Sequence, residues 1–231
     1  MQVTILILIN LVCSFAFNYK LEKNTGIVTI ATGGYNANNL IRTLKKKGRW
    51  KRNIYIYSDP CTPEINKTII LKQKNVTRSP LESKILKMNI LKNTTEDYIL
   101  FLDSDIKVNK PVINFFSQIE EWNDSCDVYM PHDMWYSKKF TYNAGIIFVK
   151  RNKSERFLNL WKNKILEKSY KGNKDQPALK FIIDNKLAKM CLIPDNLVYY
   201  LPDTLHKVSK FNTPLFTHYL KYKNNFNKCH L

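Results

Sequence analysis

The chain has 231 residues, enough for one domain with a substantial core and too few for two ordinary ones. With 44% hydrophobic and 13% aromatic residues it can fold without metals or disulfide staples. Lys and Arg number 37 against 19 Asp and Glu, a formal net charge of +18, a surplus that draws nucleic acid, anionic membrane or polyanionic substrates. The charge is scattered, however, as a Lys- and Asn-rich composition leaves it. The one cluster is Lys45-Lys46-Lys47 with Arg49, Lys51 and Arg52. No nucleic-acid partner is expected, and the surplus is read as compositional with some attraction for phosphate.

Residues 3–17 are almost all apolar, and Ser14-Phe15-Ala16 places small residues where a signal peptidase cuts. The run falls short of the ~20 residues that span a bilayer as a helix. A cleaved signal peptide over 1–16 is the expectation; the absence of Lys or Arg before the run keeps a short uncleaved anchor or a buried strand as alternatives. No other segment is apolar enough to cross a membrane. Cleavage removes Cys13 and leaves Cys61, Cys126, Cys191 and Cys229. In an oxidising compartment these form two disulfides of open connectivity, the alternative being four buried thiols. Asn-x-Ser/Thr triplets at Asn66, Asn75, Asn93, Asn123 and Asn152 add mild support for the secretory pathway, in the ER or Golgi lumen or outside the cell.

The first predicted element is a strand over 26–32, ended by Gly33-Gly34. A helix follows over 38–47 with Leu40, Ile41 and Leu44 on one face, then a strand over 53–58 closed by Asp59-Pro60. That β-α-β order implies parallel strands and a right-handed crossover. A helix opens at Ser79-Pro80 and carries Ile85, Leu86 and Ile90. Tyr98-Ile-Leu-Phe-Leu102 is apolar on both faces, as a central parallel strand is, and runs straight into Asp103-Ser104-Asp105. A helix over 112–122, strands over 128–130 and 144–150, a helix through Phe157, Leu158 and Trp161, and another over 176–183 complete the pattern. Beyond Lys189 the chain reads as short segments and loops. Alternating strands and helices predict a single α/β layer fold.

Four pieces carry chemistry. Asp103 and Asp105, two apart on extended chain, point the same way at the carboxyl end of a buried strand, where open α/β sheets bind their ligands. Two carboxylates crowded there repel, and a divalent cation is their natural occupant; the plain alternative is an acidic turn. Tyr142-Asn143-Ala144-Gly145 enters the next buried strand, either as a tight turn or as part of a site. Lys174-Asp175-Gln176-Pro177 reads as an N-cap with a first-turn proline. Phe216-Thr217-His218-Tyr219 holds a late histidine among aromatics.

In this order the pieces resemble the GT-A nucleotide-diphospho-sugar transferases, closest to the retaining glycogenin-like and galactosyl/xylosyl-transferase-like groups. The resemblance runs from Gly26 to His218 and implies a GT-A domain over 26–220, with helices on both faces of a mostly parallel sheet and a tail over 221–231. It implies that Asp103, Asp105 and His218 bind Mn²⁺, for which an imidazole among carboxylates is the better-suited donor set. It assigns Lys87 to the donor phosphate or sugar, with Lys84 as the alternative one turn earlier. Thr32, Tyr35 and Asp59 take the nucleoside, and Ser104 belongs to the same donor site. Asn143 and Ala144 lie beneath the donor sugar, and Asp175 and Gln176 lie beside its anomeric carbon. The implied reaction moves a sugar, with UDP as the nucleotide, to a hydroxyl of a glycan or protein acceptor with retention. Little chain remains after Asn185 for an acceptor site, so a small acceptor or one brought by a partner protein is expected. Rival readings are a catalytically inactive GT-A-fold subunit and a secreted basic polyanion-binding protein.

Overall fold

The structure is a computed structural model that describes residues 21–32, 36–60, 68–72, 80–119, 122–133, 141–167, 175–201 and 213–219. In chain order its first half runs β1 (Thr25–Ala31), α1 (Asn38–Lys46), β2 (Ile54–Ser58), β3 (Ile69–Lys72), α2 (Pro80–Met88), β4 (Tyr98–Leu102), β5 (Ile106–Val108) and α3 (Ile113–Ile119). The second half runs β6 (Val128–Met130), β7 (Ile146–Lys150), α4 (Arg151–Leu166), α5 (Asp175–Asp184), β8 (Met190–Leu192), β9 (Val198–Leu201) and β10 (Phe216–Tyr219).

Seven strands form one sheet in the order β3-β2-β1-β4-β7-β6-β8. The pairs β1–β2, β2–β3, β1–β4 and β6–β8 are parallel, and β7 runs against both β4 and β6. The sheet is therefore mostly parallel with one reversed strand, and the expected α/β architecture holds. Side-chain alternation along β4 serves two cores. Leu100 and Leu102 face one side, with Leu40 of α1 and Phe115 and Phe116 of α3. Ile99 and Phe101 face the other, with Leu86 of α2, Phe157 and Trp161 of α4 and Leu179 of α5. Each fully buried side chain of this size stabilises by roughly 1.5–3 kcal/mol. Phe148 of β7 is the aromatic hub of the first core, with Tyr98, Phe115, Phe116, Trp122 and Tyr129 at centroid separations of 5.3–6.3 Å.

The short segments expected beyond Lys189 include β8 at the sheet edge and then β9 and β10, which join β5 in a second sheet of order β5-β10-β9. One sequence expectation needs correction: Asp103 and Asp105 do not lie on extended chain. β4 ends at Leu102, and a turn at Ser104 and Asp105 leads into β5, so the turn and not strand alternation brings the two carboxylates together.

Cys126 and Cys191 form a disulfide across a Cα–Cα distance of 5.8 Å, tying β8 to the loop before β6. Cys61 and Cys229, the other two cysteines of the expected pairing, lie outside the described residues. Among the described residues no helix is long and apolar enough to cross a membrane. The bridge spans 65 residues, for which the chain-entropy model gives an upper figure of about 4 kcal/mol. Cys126→Ser is expected to lower the unfolding free energy by a large part of that amount, read as a lower denaturant midpoint at unchanged m. Cys191→Ser should reproduce the loss and the double substitution should add nothing to it; a midpoint unchanged in both single variants would show that the bridge does not support the fold.

Candidate metal centre and active site

Open α/β sheets gather ligands at the carboxyl ends of their strands, and the chemistry-bearing residues collect at the ends of β1, β2 and β4. Asp103 follows the last residue of β4, and its N–H donates to the Gly145 carbonyl at 2.8 Å. β5 leaves the turn and pairs antiparallel with β10, setting His218 opposite Ile106 and so beside Asp105. The Tyr219 N–H closes the corner by donating to the Asp105 carbonyl at 3.2 Å. His218 Nε2 stands 3.1 Å from Asp105 Oδ1 and 3.8 Å from Asp103 Oδ2.

One ligand atom from each of Asp103, Asp105 and His218 falls within 4.8 Å of the others. The Asp103 and Asp105 side chains keep 31% and 29% of their surface exposed while that of His218 keeps 5%. The cluster thus has a buried wall and an open front. Two carboxylates and an imidazole are a donor set that fits a divalent ion of the Mn²⁺ type. Burial pushes the Asp103 carboxyl up; Lys87 opposes that, and the neighbouring Asp105 charge adds to it. Burial alone would lower the His218 imidazole, but the Asp105 carboxylate against Nε2 and the charge of Asp103 hold it above the ordinary 6.5.

Lys87, near the end of α2, is 7% exposed. Its ammonium donates to the Ala144 carbonyl at 2.8 Å and lies 3.2 Å from Asp103 Oδ1 and 3.5 Å from Asp175 Oδ2. The Phe101 ring lies beneath it at 5.0 Å. Burial would lower this amine, and Asp103 and Asp175 more than reverse that, holding it charged. Asp175 opens α5: its carbonyl accepts from Trp161 Nε1 at 3.0 Å, and its Oδ1 accepts from the Gln176 N–H at 3.1 Å. The Gln176 amide, oriented to satisfy both ends, donates to the Tyr142 carbonyl at 2.9 Å and accepts from the Ala144 N–H at 3.1 Å. The 142–145 loop is further closed by Asn143 Oδ1, which accepts from the Gly145 N–H at 2.8 Å.

The structure therefore brings Asp103, Asp105, His218, Lys87, Asp175, Gln176, Asn143 and Ala144 into one constellation. Thr32, buried after β1, and Asp59, half-buried after β2, stand at the same end of the sheet. Ser104 is half-buried within the turn. Lys84, also half-buried, lies one turn earlier on α2, and the ion pairs to Asp103 and Asp175 are made by Lys87. Tyr35 lies outside the described residues.

Sequence reasoning did not single out the neighbours on the open side. His132 Nδ1 is 3.0 Å from Asp195 Oδ1, and its ring stacks on Tyr142 with centroids 6.1 Å apart. Tyr200 of β9 is the register partner of His218. His132 and Asp195 are 63 positions apart, and no local spacing signals such a pair.

No family model matches this sequence, and no curated protein matches it. Solved structures do. The fold is similar to that of the glycosyltransferase GlyE of Streptococcus pneumoniae TIGR4, with a TM-score of 0.61 at 14% identity over 89% of this chain and 57% of GlyE. It is also similar to the galactosyltransferase LgtC in complex with donor and acceptor sugar analogues, with a TM-score of 0.56 at 14% identity over 85% of this chain and 87% of LgtC. An active-site Gln-to-Glu mutant of LgtC matches at a TM-score of 0.55 and 12% identity over the same shares. The chain spans a little over half the length of GlyE. At these identities the likeness shows the fold: a mixed α/β domain of the GT-A-like kind that these glycosyltransferases carry.

Mn²⁺ binding, followed by loss of the free-ion EPR signal, is expected to weaken roughly tenfold or more in Asp103→Ala and in Asp105→Ala. A proton on His218 competes with the ion, so affinity should fall as pH falls, with the decline beginning above pH 6.5. Folded variants that bind as tightly as wild type, or an affinity flat across that range, would remove the metal centre.

Proposed function

We propose that this chain is a metal-dependent glycosyltransferase that moves a sugar from a UDP-sugar to an acceptor hydroxyl with retention of configuration. The observation that carries the reading is the convergence of Asp103, Asp105 and His218 within 4.8 Å at the carboxyl end of a buried strand, beside the charged Lys87. A divalent ion held there supplies Lewis acidity toward the leaving diphosphate. Lys87 sets a fixed positive charge at the same edge, where negative charge grows as the glycosidic bond breaks. Thr32 and Asp59 lie where the nucleoside end of the donor is received. Gln176 and Asn143 hold the 142–145 loop in one conformation, and that loop forms the floor for the sugar.

Retention is supported by what Asp175 already does. An inverting enzyme needs a carboxylate free to take the acceptor proton on the face opposite the leaving group. Asp175 is engaged by the Lys87 ammonium and by the Gln176 N–H, and the Gln176 amide is used at both ends and is no base. The acceptor enters over Tyr142, His132 and Asp195, where an aromatic face adjoins a paired carboxylate, a combination suited to a sugar's C–H face and hydroxyls. A lumenal or extracellular setting is supported by the Cys126–Cys191 bridge and by the exposure of the sequon residues Asn93, Asn123 and Asn152.

A screen of nucleotide sugars with Mn²⁺, read by binding and by slow donor hydrolysis, tests the activity directly; no binding to any of them sinks it. Lys87→Ala is expected to lower the transfer rate about a hundredfold while changing donor affinity less, with Lys84→Ala near wild type. The reverse ranking would move the role one turn along α2. NMR of the first-formed product, taken before mutarotation, should show an α-linkage from an α-linked donor. A β-anomer would overturn retention and leave the metal centre standing.

A further inference from the structure

A metal-bound histidine is ordinarily oriented through its second ring nitrogen, which donates to a carboxylate, a carbonyl or water. His218 is built differently. Its Nδ1 is buried and makes no hydrogen bond among the described residues. Two surfaces confine the ring instead.

The first is Gly145. A Cβ built there would overlap the imidazole, lying 2.7 Å from Nδ1 and closer still to Cε1. Gly145 is itself pinned: its N–H donates to Asn143 Oδ1 at 2.8 Å, and its carbonyl accepts from the Asp103 N–H at 2.8 Å. The backbone that holds the first ligand, Asp103, is thus the backbone against which the His218 ring rests. The second surface is Tyr200. β9 and β10 run parallel with Tyr200 in register with His218, and the two rings lie 5.7 Å apart at 47°. Tyr200 is 5% exposed, and its hydroxyl finds no hydrogen-bond partner among the described residues. Burial holds that phenol neutral, and the charges of Asp133, Asp195 and Asp103 push the same way. Its contribution is the ring.

We infer that His218 is aimed at the metal by a steric clamp, the bare Cα of Gly145 and the aromatic ring of Tyr200, and that these two are positioning residues of the centre. The inference rests on the reading that Asp103, Asp105 and His218 hold a divalent ion. The glycine of Asn143-Ala144-Gly145 thereby acquires a specific role, since any side chain there occupies the space of the imidazole and turns Nε2 away from Asp105. Close packing of this kind removes alternative ring orientations without needing a hydrogen bond at Nδ1.

The test is the Mn²⁺ dissociation constant of the full chain, measured by EPR, with metal-free thermal melts to confirm folding. Gly145→Ala is expected to weaken binding 10- to 100-fold, the range seen when the support of a metal ligand is removed. Tyr200→Leu should weaken it about tenfold on the same basis, and the conservative Tyr200→Phe should restore the wild-type value. In a His218→Ala background, Gly145→Ala should add no further loss, because the ring it displaces is gone. Wild-type affinity in both Gly145→Ala and Tyr200→Leu overturns the clamp. So does a Tyr200→Phe variant as weak as Tyr200→Leu, or a full Gly145→Ala loss without His218. If Gly145→Ala fails to fold, the two Tyr200 variants decide. A wild type that binds no Mn²⁺ at all overturns the metal reading and the clamp with it, a result distinct from tight binding in every variant.

Discussion

An ammonium group at 7% exposure is tolerated only among anions and acceptors that replace its water, and Lys87 draws its replacements from three separate stretches of chain. The turn after β4 supplies Asp103, the loop before β7 supplies the Ala144 carbonyl, and the first residue of α5 supplies Asp175. α2 contributes the lysine. One buried charge thus fixes the mutual position of four segments that share no local sequence. The candidate site lies where they meet.

This also sets the electrostatics of the neighbouring cluster. Asp103 is shared: one oxygen faces Lys87 and the other faces His218. Burial pushes the Asp103 carboxyl up, and the Lys87 ammonium on one side works against that push. Asp105 has no lysine and leans on His218 alone among the described residues. The second sheet, small as it is, supplies the buried wall of the cluster, since the β5–β10 register places His218 beside the turn that carries both acids.

What could be read from sequence follows from how far each signal reaches along the chain. β4 and β7 are legible because burial on both faces imposes unbroken apolar runs, and Asp103 is conspicuous because it ends one of them. α1 is legible through Leu40, Ile41 and Leu44, all buried as their spacing requires. β3, β5, β8, β9 and β10 are not legible: with three or four residues each, they hold their place through partners distant in sequence. The same limit hides the bracing role of Gln176, whose amide bonds lie with residues more than thirty positions earlier, and the pairing of His132 with Asp195. Lys87 sits between these cases. Its spacing on α2 could not by itself separate it from Lys84; depth of burial does, and depth is a property of the folded chain.

The large positive charge can be placed in the same terms. The cluster from Lys45 to Arg52 begins in the last turn of α1 and precedes β2, so it lies at the amino ends of the parallel strands, with the Asn53 carbonyl accepting from the Ile27 N–H near the start of β1. Thr32, Asp59 and Asp103 stand at the carboxyl ends. A nine-residue helix alone separates the two ends by ~14 Å, well beyond the ~8 Å screening length at physiological salt. Under the proposed function these cations reach a diphosphate donor only as a diffuse field and add little to its grip, whereas Lys87, 3.2 Å from Asp103 Oδ1 and buried where salt does not screen it, is the cation of the candidate site. On that reading a single sequestered lysine outweighs the exposed cluster at the reacting bond, by position and not by number.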